Sequence, residues 1–241
     1  MKCKNCKSKK LIKVVKLGKQ PISSVFYDKV KKNLPEYSLD LFECDKCKLV
    51  QFSKLPPLKD MYGLTYGYNT SLSPLMIRHM KKKFNFLNLN YKKLLKGQIL
   101  DIGSNDGTFL NFFDNSKRCY GVDPSAKKLK KYYKKQIKLI PNSFQRGFSK
   151  ISGNKFKLIS AVAMFYDLEE PLKLVNLIKT ILCKDGILHI DVPNDMSMLS
   201  YLRKFFKDAL SHITLSWSSH CIFASLHDLR RNRISPQILT R

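Results

Sequence analysis

No apolar run in this 241-residue chain approaches the roughly 18 residues that a membrane-spanning helix needs, so no membrane partner is expected. A signal-peptide core is also missing: Lys2 and Cys3 follow Met1 at once, and the expected compartment is the cytoplasm. There is no arginine-rich arm, no basic motif interleaved with aromatics, no internal repeat and no low-complexity block. Acidic residues are scarce, 18 Asp and Glu against 45 Lys and Arg, giving a formal charge of +27. Such an excess invites nucleic acid as a partner. Here it is mostly lysine and spread along the chain, with small clusters at Lys81–Lys83, Lys127-Lys128 and Lys130-Lys131 on predicted helix faces or loops. A solvated, lysine-biased surface is therefore expected rather than a nucleic-acid surface. An anionic small-molecule substrate would also benefit from the positive field. With 44% hydrophobic residues the chain can bury a real core, which excludes global disorder.

A disulfide framework is not expected either, because the chain is neither small nor secreted. Of its seven cysteines, four fall in two C-x2-C units, Cys3 with Cys6 and Cys44 with Cys47. Each unit can place two sulfurs on adjacent corners of a tetrahedron, and four soft thiolates suit Zn²⁺. A closed four-cysteine set leaves no position for water or substrate, so the expected metal is structural. It would staple a segment too small to fold alone. The intervening loop is longer than the commonest ribbon spacing and must fold back. Cys119, Cys183 and Cys221 stand singly in apolar sequence and are expected to be buried apolar residues, not nucleophiles.

Four segments emerge along the chain. Residues 1–58 form a metal-binding unit with short strands at Val14–Leu17 and Ser38–Phe42, a turn at Gly18–Pro21 and a boundary at Pro56-Pro57. Residues 59–97 are a Tyr- and Gly-rich connector, then a helix opened by Ser73 as N-cap and Pro74 at its first position. Residues 98–194 alternate short apolar strands with helices: strands at Ile99–Ile102, Cys119–Val122, Ile137–Ile140, Phe156–Met164 and Ile187–Val192, helices from Thr108–Phe113, Lys127–Lys135 and Pro171–Leu182. That alternation predicts an α/β fold with a mostly parallel, doubly wound sheet. Residues 195–241 show weak periodicity; Met198–Leu210 reads as a helix and nothing further is assigned.

The first strand of this α/β unit runs into Asp101-Ile-Gly103-Ser104-Asn105-Asp-Gly107 and then a helix. Glycines there allow a sharp turn and close backbone approach to a ligand, and a helix N-terminus faces the same crevice. The G-x3-G spacing disfavours a pyrophosphate cofactor, for which G-x-G-x-x-G is expected. The next strand ends in Gly121-Val-Asp123, and a carboxylate at that place can accept two hydrogen bonds from ribose hydroxyls. This pattern resembles the Rossmann-like class I S-adenosylmethionine-dependent methyltransferases. The resemblance implies that Asp101 orients the loop and the methionine amine, Asp123 holds the ribose, and Asn142 to Phe144 flank the adenine.

Longer stretches resemble one group of these enzymes, the sugar C-methyltransferases with an N-terminal zinc-binding domain. They are Leu17–Ser23, Cys44–Gln51, Tyr66–Ser73 with Met76–His79, Leu100–Leu110, Gly121–Ser125 and Ala163–Glu169, spread over roughly residues 1–190. The resemblance implies a nucleotide-linked keto-deoxy sugar as substrate and methylation at a carbon made acidic by the neighbouring ketone. Tyr66 and Tyr68 would close over the sugar, their hydroxyls relaying charge and their faces suiting the sulfonium. Phe165 and Tyr166 would sit near the transferred methyl, and His79 is a candidate catalytic residue. The likeness stops after His189. The family's Glu-Gln-Ser-Tyr stretch is replaced by Ile190-Asp-Val-Pro-Asn-Asp195, no His-Glu-His base motif follows, and these residues do not match the family's large C-terminal domain. His212, His220 and His227 do not match that motif, so no base is carried over to them. Two other readings stay open at this point: a zinc-containing basic nucleic-acid-binding protein, and a cofactor-binding remnant without turnover.

Overall fold

The computed structural model describes residues 1–23, 25–27, 29, 33–63, 65–114, 118–193 and 219–225. The N-terminal part is a three-stranded antiparallel sheet of β1 (Leu11–Pro21), β2 (Glu36–Cys44) and β3 (Val50–Phe52), in that order. The predicted turn at Gly18–Pro21 is not a turn: it lies inside β1. The irregularity is taken up instead by a register shift between Lys16 and Lys19, where Gly18 has φ +73°. A bulge of this kind lets one strand bend without ending.

A short helix α1 (Leu58–Met61) leads to the connector, and α2 (Pro74–Tyr91) follows. Ser73 caps α2 as expected, its side chain accepting from the Met76 N–H at 3.3 Å, with Pro74 at the first position. One side of α2 buries Met80 and Leu87 against the sheet.

The larger part is a six-stranded sheet. Its strands are β4 (Ile99–Ile102), β5 (Cys119–Val122), β6 (Lys138–Ile140), β7 (Phe156–Val162), β8 (Leu182–Pro193) and β9 (Ser219–Ser225). The order is β6-β5-β4-β7-β8-β9, parallel throughout except for the antiparallel β8–β9 pair. Both faces are covered, so β4 and β5 are buried at every position. Successive residues feed opposite faces. Leu100, Ile102 and Ile159 join a core with α5 (Pro171–Ile181), whereas Ile99 and Leu158 join one with Met80 and Leu87 of α2. On α5 the buried Leu174, Val175, Ile178 and Ile181 follow helical spacing.

Two predicted helices are much shorter than expected. Thr108–Phe113 contains one 3-10 turn, Leu110–Phe112, because Phe113 turns extended to pack edge-on against Phe84 (5.1 Å) and Phe109 (5.3 Å). Lys127–Lys135 is reduced to α3 (Ala126–Leu129) and a 3-10 turn, Lys130–Tyr132, after which Tyr133 is drawn inward. A fourth short helix, α4 (Phe144–Gly147), follows β6. Cys119 is buried as expected, but Cys183 is only half-buried at the start of β8. The predicted helix Met198–Leu210, with His212 and His227, lies outside the described residues. His220 pairs through its backbone with Val192.

In this order, β4 and β7 are the strands from which the chain diverges to either side. Ligands of open α/β sheets bind in the crevice beyond the carboxyl ends of such strands. The glycine loop after β4 and the Phe165–Asp167 turn after β7 both stand at that edge.

Candidate functional site

The two cysteine pairs come together. The four sulfurs of Cys3, Cys6, Cys44 and Cys47 lie within 4.8 Å of one another, with Cys3–Cys47 and Cys6–Cys44 at 3.5 Å. Tetrahedral Zn–S bonds of about 2.3 Å require sulfur separations of this order, so the set fits Zn²⁺. Each pair is held in the same tight turn. Lys7 N–H donates to the Cys3 carbonyl (3.1 Å) and Lys48 N–H to the Cys44 carbonyl (2.9 Å), and both lysines take left-handed backbone angles, φ 61° and 60°. Backbone N–H groups of Cys47 and Lys46 hold the Cys44 thiol down at about 6, whereas burial pushes Cys3 up to about 12. A dication would supply the missing counter-charge, and binding would release the remaining thiol protons.

The knuckle also reaches the larger domain. Lys4, between the first two cysteines, pairs with Glu169 at 3.1 Å, and its charge acts on Asp167. Asp167 in turn accepts a hydrogen bond from the Tyr62 hydroxyl. Its carboxyl is pushed up to about 6 by burial, against which Tyr62 and Lys4 work.

At the crevice, Gly103 has φ +76°, and a Cβ there would lie 2.8 Å from Cγ of Met164, the residue two beyond the end of β7. Gly103 N–H donates to the Val122 carbonyl at 2.8 Å, which ties the loop to β5. Gly107 (φ +77°) leaves room for the ring of Tyr133, which a Cβ would meet at 2.6 Å. Tyr133 props the loop from beneath: its hydroxyl donates to the Asn105 carbonyl (2.6 Å) and lies 2.9 Å from Ser104 Oγ. Sequence reasoning missed Tyr133; only its register with the loop, which no local pattern encodes, could have revealed it. Ser104, predicted to touch the cofactor, therefore spends its hydroxyl on Tyr133.

Asn105 is also differently engaged. Its side-chain oxygen accepts from the Thr70 N–H at 2.9 Å and its amide donates to the Tyr68 carbonyl at 3.1 Å. Fully buried Asp106 accepts from Ser71 N–H (2.7 Å) and from the Thr108 hydroxyl (2.6 Å). These bonds clamp the connector onto the glycine loop, a role the sequence did not show for Thr70, Ser71 or Asp106.

Asp123, 8% exposed, is partly committed before any ligand arrives. Its Oδ1 accepts from Ser125 N–H (2.7 Å) and Oγ (2.5 Å), and its Oδ2 accepts from Asn105 N–H (2.9 Å). A carboxylate offers about four acceptor positions, so one remains, on Oδ2. That position on Oδ2 faces outward from these three bonds as an acceptor for a ligand hydroxyl. Asp101, buried at the end of β4, accepts from Ser160 Oγ across the sheet at 2.6 Å. Together the hydroxyl acceptor, the buried carboxylate and the glycine cradle fit a nucleoside-linked amino acid such as S-adenosylmethionine.

The connector's tyrosines form an aromatic wall. Tyr62, Tyr66 and Tyr68 follow one another at ring separations of 5.1 and 6.3 Å. Burial, then the charge of Asp123, pushes the Tyr66 phenol upward. Tyr166 is shifted the same way by burial and by Asp167, and it also feels Tyr66, Tyr68 and Asp191. Phe165 packs partly into the core, Asn142 is half-buried beside Gly147, and Phe144 is a core residue edge-on to Phe148 at 5.7 Å. His79 Nε2 lies 2.6 Å from Oδ2 of Asp191 on β8, and Lys83 Nζ lies 3.5 Å from the same oxygen.

A family model described as "Methyltransferase domain" matches residues 76–231, well over half of the chain. The chain belongs to that methyltransferase family. It has the class I, Rossmann-like α/β fold. A second model, described as "Putative zinc binding domain", matches residues 3–62 and so contains all four clustered cysteines. No curated protein matches this chain. Solved structures similar to it include the plantazolicin methyltransferase BpumL in complex with a monoazolic desmethylPZN analog and SAH. There the identity is 17% over 57% of this chain and 59% of that chain, with a TM-score of 0.38, so the match spans about three fifths of BpumL. PH0226 protein from Pyrococcus horikoshii OT3 is 18% identical over 66% of this chain and 75% of that one, at a TM-score of 0.46. N-methyltransferase NodS from Bradyrhizobium japonicum WM9, in complex with S-adenosyl-l-homocysteine, is 15% identical over 63% and 86%, at 0.41. Among the described residues, no helix is long and apolar enough to cross a membrane.

Burial pushes Asp101 up to about 7, Asp123 adds to the rise, and Ser160 opposes it. The folded-state value thus exceeds the unfolded one. The stability tied to this group is complete below about pH 4 and is lost as the pH rises through about 7. Asp101→Asn is expected to escape that loss. Its urea midpoint should gain on the wild type between pH 4 and pH 8, by no more than about 4 kcal/mol in stability. A difference independent of pH would refute the assignment.

Proposed function

We propose that this methyltransferase transfers the methyl group to a carbon next to a ketone on a nucleotide-linked deoxy sugar. One observation supports this most: the connector that carries Tyr66 and Tyr68 is clamped to the glycine loop, Tyr66 feels the charge of Asp123, and both tyrosines act electrostatically on Tyr166 in the turn after β7. The stretches that form this wall, Tyr66–Ser73 and Ala163–Glu169, are also those that resemble the sugar C-methylating group. The lysine-rich surface suits a substrate carrying a diphosphate, and a cytoplasmic setting would keep the four thiols reduced.

Asp101 and Asp123 would bind the amino acid and ribose parts of the cofactor, with Met164 packed against the Gly103 turn. Bound S-adenosylmethionine supplies an electrophilic methyl on a sulfonium. The chain's own task is to remove a proton from the sugar carbon and keep water from the resulting enolate. Tyr68, at the outer edge of the wall and 36% exposed, can donate to the ketone oxygen as charge develops there, and partial burial pushes its phenol upward.

Enolate formation predicts exchange of the α-proton with deuterated water, with or without methyl donor. Wild-type protein should wash deuterium into a nucleotide-linked 4-keto-deoxy sugar, followed by mass spectrometry. Tyr68→Phe should slow exchange about tenfold or more while cofactor affinity stays unchanged. Methyl transfer to a hydroxyl oxygen without exchange at carbon would refute the carbon chemistry.

A further inference from the structure

We propose that His79, oriented by Asp191, is the group that takes the proton from the substrate carbon; this role rests on the enolate reading above. Four observations carry it. His79 lies six residues beyond the Ser73 cap, in the second turn of the helix that follows the Thr70–Ser71 segment pinned to the glycine loop. Its partner Asp191 stands opposite Val162, the last residue of β7, and the Asp191 carbonyl accepts from Ala163 N–H at 2.9 Å. The pair therefore sits at the strand edge from which Met164, Phe165 and Tyr166 project. Asp191 acts electrostatically on Tyr166, which also feels Tyr66 and Tyr68, so the pair and the aromatic wall share one neighbourhood. The Asp191 side chain is 3% exposed, whereas that of His79 is 26% exposed, so the carboxylate is sheltered and the imidazole is open to an incoming molecule.

The contact fixes the chemistry of the ring. Nε2, at 2.6 Å from a carboxylate oxygen, carries the proton and donates it to Asp191. The lone pair is then on Nδ1, which is the nitrogen able to accept a proton. This is the arrangement of a base held in one tautomer by a buried acid, with the two ring nitrogens exchanged relative to serine hydrolases. In the step itself the C–H bond breaks and an Nδ1–H bond forms. The C–H electron pair becomes the enolate double bond, and the carbonyl π pair moves to oxygen. The imidazolium so formed faces Asp191. Lys83, one helical turn further along α2, lies 3.5 Å from the same oxygen and places a second cation beside that carboxylate. Oδ1 of Asp191 is buried without a hydrogen-bond partner among the described residues, a cost of the kind found at functional positions. His189, beneath the pair on β8, is buried, and its own value is pushed down to about 4, chiefly by burial, so it stays neutral and does not compete for the proton.

The test uses the full chain and three readouts. Nitrogen-detected NMR of the wild type should show His79 as the Nε2–H tautomer, and Asp191→Asn should mix the tautomers. With a nucleotide-linked 4-keto-deoxy sugar, His79→Ala should lose deuterium wash-in at least 100-fold and keep its cofactor affinity. Added imidazole should restore part of the exchange, which a merely structural histidine would not allow. An Nδ1–H tautomer in the wild type, or exchange in His79→Ala equal to that of the wild type, overturns this role alone. An exchange defect in His79→Ala that imidazole does not relieve also overturns it, since the histidine then acts only as a clasp between α2 and β8; thermal melts of both proteins show whether that clasp has been lost. Wild-type protein that binds cofactor yet exchanges no proton on the keto-sugar overturns the enolate reading, and the role falls with it.

Discussion

Stripping the metal from the four-cysteine cluster is expected to unfold the N-terminal sheet and leave the six-stranded domain folded. β1 and β2 are half-exposed along most of their length, and the described residues of the N-terminal segment bury little apolar surface beyond Cys3 and Cys44. The small sheet therefore has almost no core of its own, and its closure depends on the two knuckles. Structural zinc supplies on the order of 10–16 kcal/mol in comparable isolated modules, more than such a sheet can replace. Protein purified without chelator should contain about one zinc per chain, and Cys3→Ser with Cys44→Ser should contain none. Hydrogen exchange should then rise across residues 11–52 and remain slow in β4, β5 and β7. The loss should also be felt at the crevice, because Lys4 would no longer be held against Glu169 and near Asp167. Unchanged metal content, or an unchanged exchange pattern, in the double variant would contradict this account.

Replacing Asp123 is expected to be the most damaging single change for cofactor binding. The carboxylate takes three hydrogen bonds from the chain and has one acceptor position left for the ligand. Asp123→Ala orphans the N–H groups of Asn105 and Ser125 and the Ser125 hydroxyl, as well as a ribose hydroxyl. With hydrogen bonds to a charged group worth about 1.5–3 kcal/mol each, affinity should fall at least about 100-fold. Asp123→Asn should recover only part of this, because whichever way its amide turns, its NH2 group meets a backbone N–H, that of Asn105 or that of Ser125. Gly103→Val tests the other wall of the site. A β-branched residue at φ +76° is strained, and its Cβ meets Met164 at 2.8 Å. Calorimetric titration with S-adenosylmethionine compares all three, and variants that bind like the wild type would mean that the pocket lies elsewhere.

The sequence by itself determined a good deal of this protein. Each C-x2-C unit fixes half of the metal site, since covalent spacing holds its two sulfurs on one side of a turn. The β4–loop–β5 reading held because Ile99–Ile102 and Cys119–Val122 are too short and too apolar to be anything but buried parallel strands. Ser73-Pro74 started its helix where local capping chemistry placed it. These are features whose cause lies within a few residues. What failed locally failed for tertiary reasons. Gly18 looked like a turn but bulges a long strand, because β2 supplies hydrogen bonds on both sides of it. The lysine-rich helix after Asp123 stops short, because Tyr133 is needed beneath the glycine loop.

Only the tertiary structure decided how the crevice is built. Ser104 and Asn105 sit in the right motif, yet their side chains serve Tyr133 and the connector. Asp123 is held by Asn105 and Ser125, a set of bonds that no local pattern announces. Asp191 carried no recognisable motif, and His79 was one candidate among several histidines. Sheet register put Asp191 at the end of β8 beside Val162, and the packing of α2 brought His79 to 2.6 Å from it, across 112 residues of chain. A contact of that sequence separation leaves no local pattern, because it is made by the sheet and the helix together.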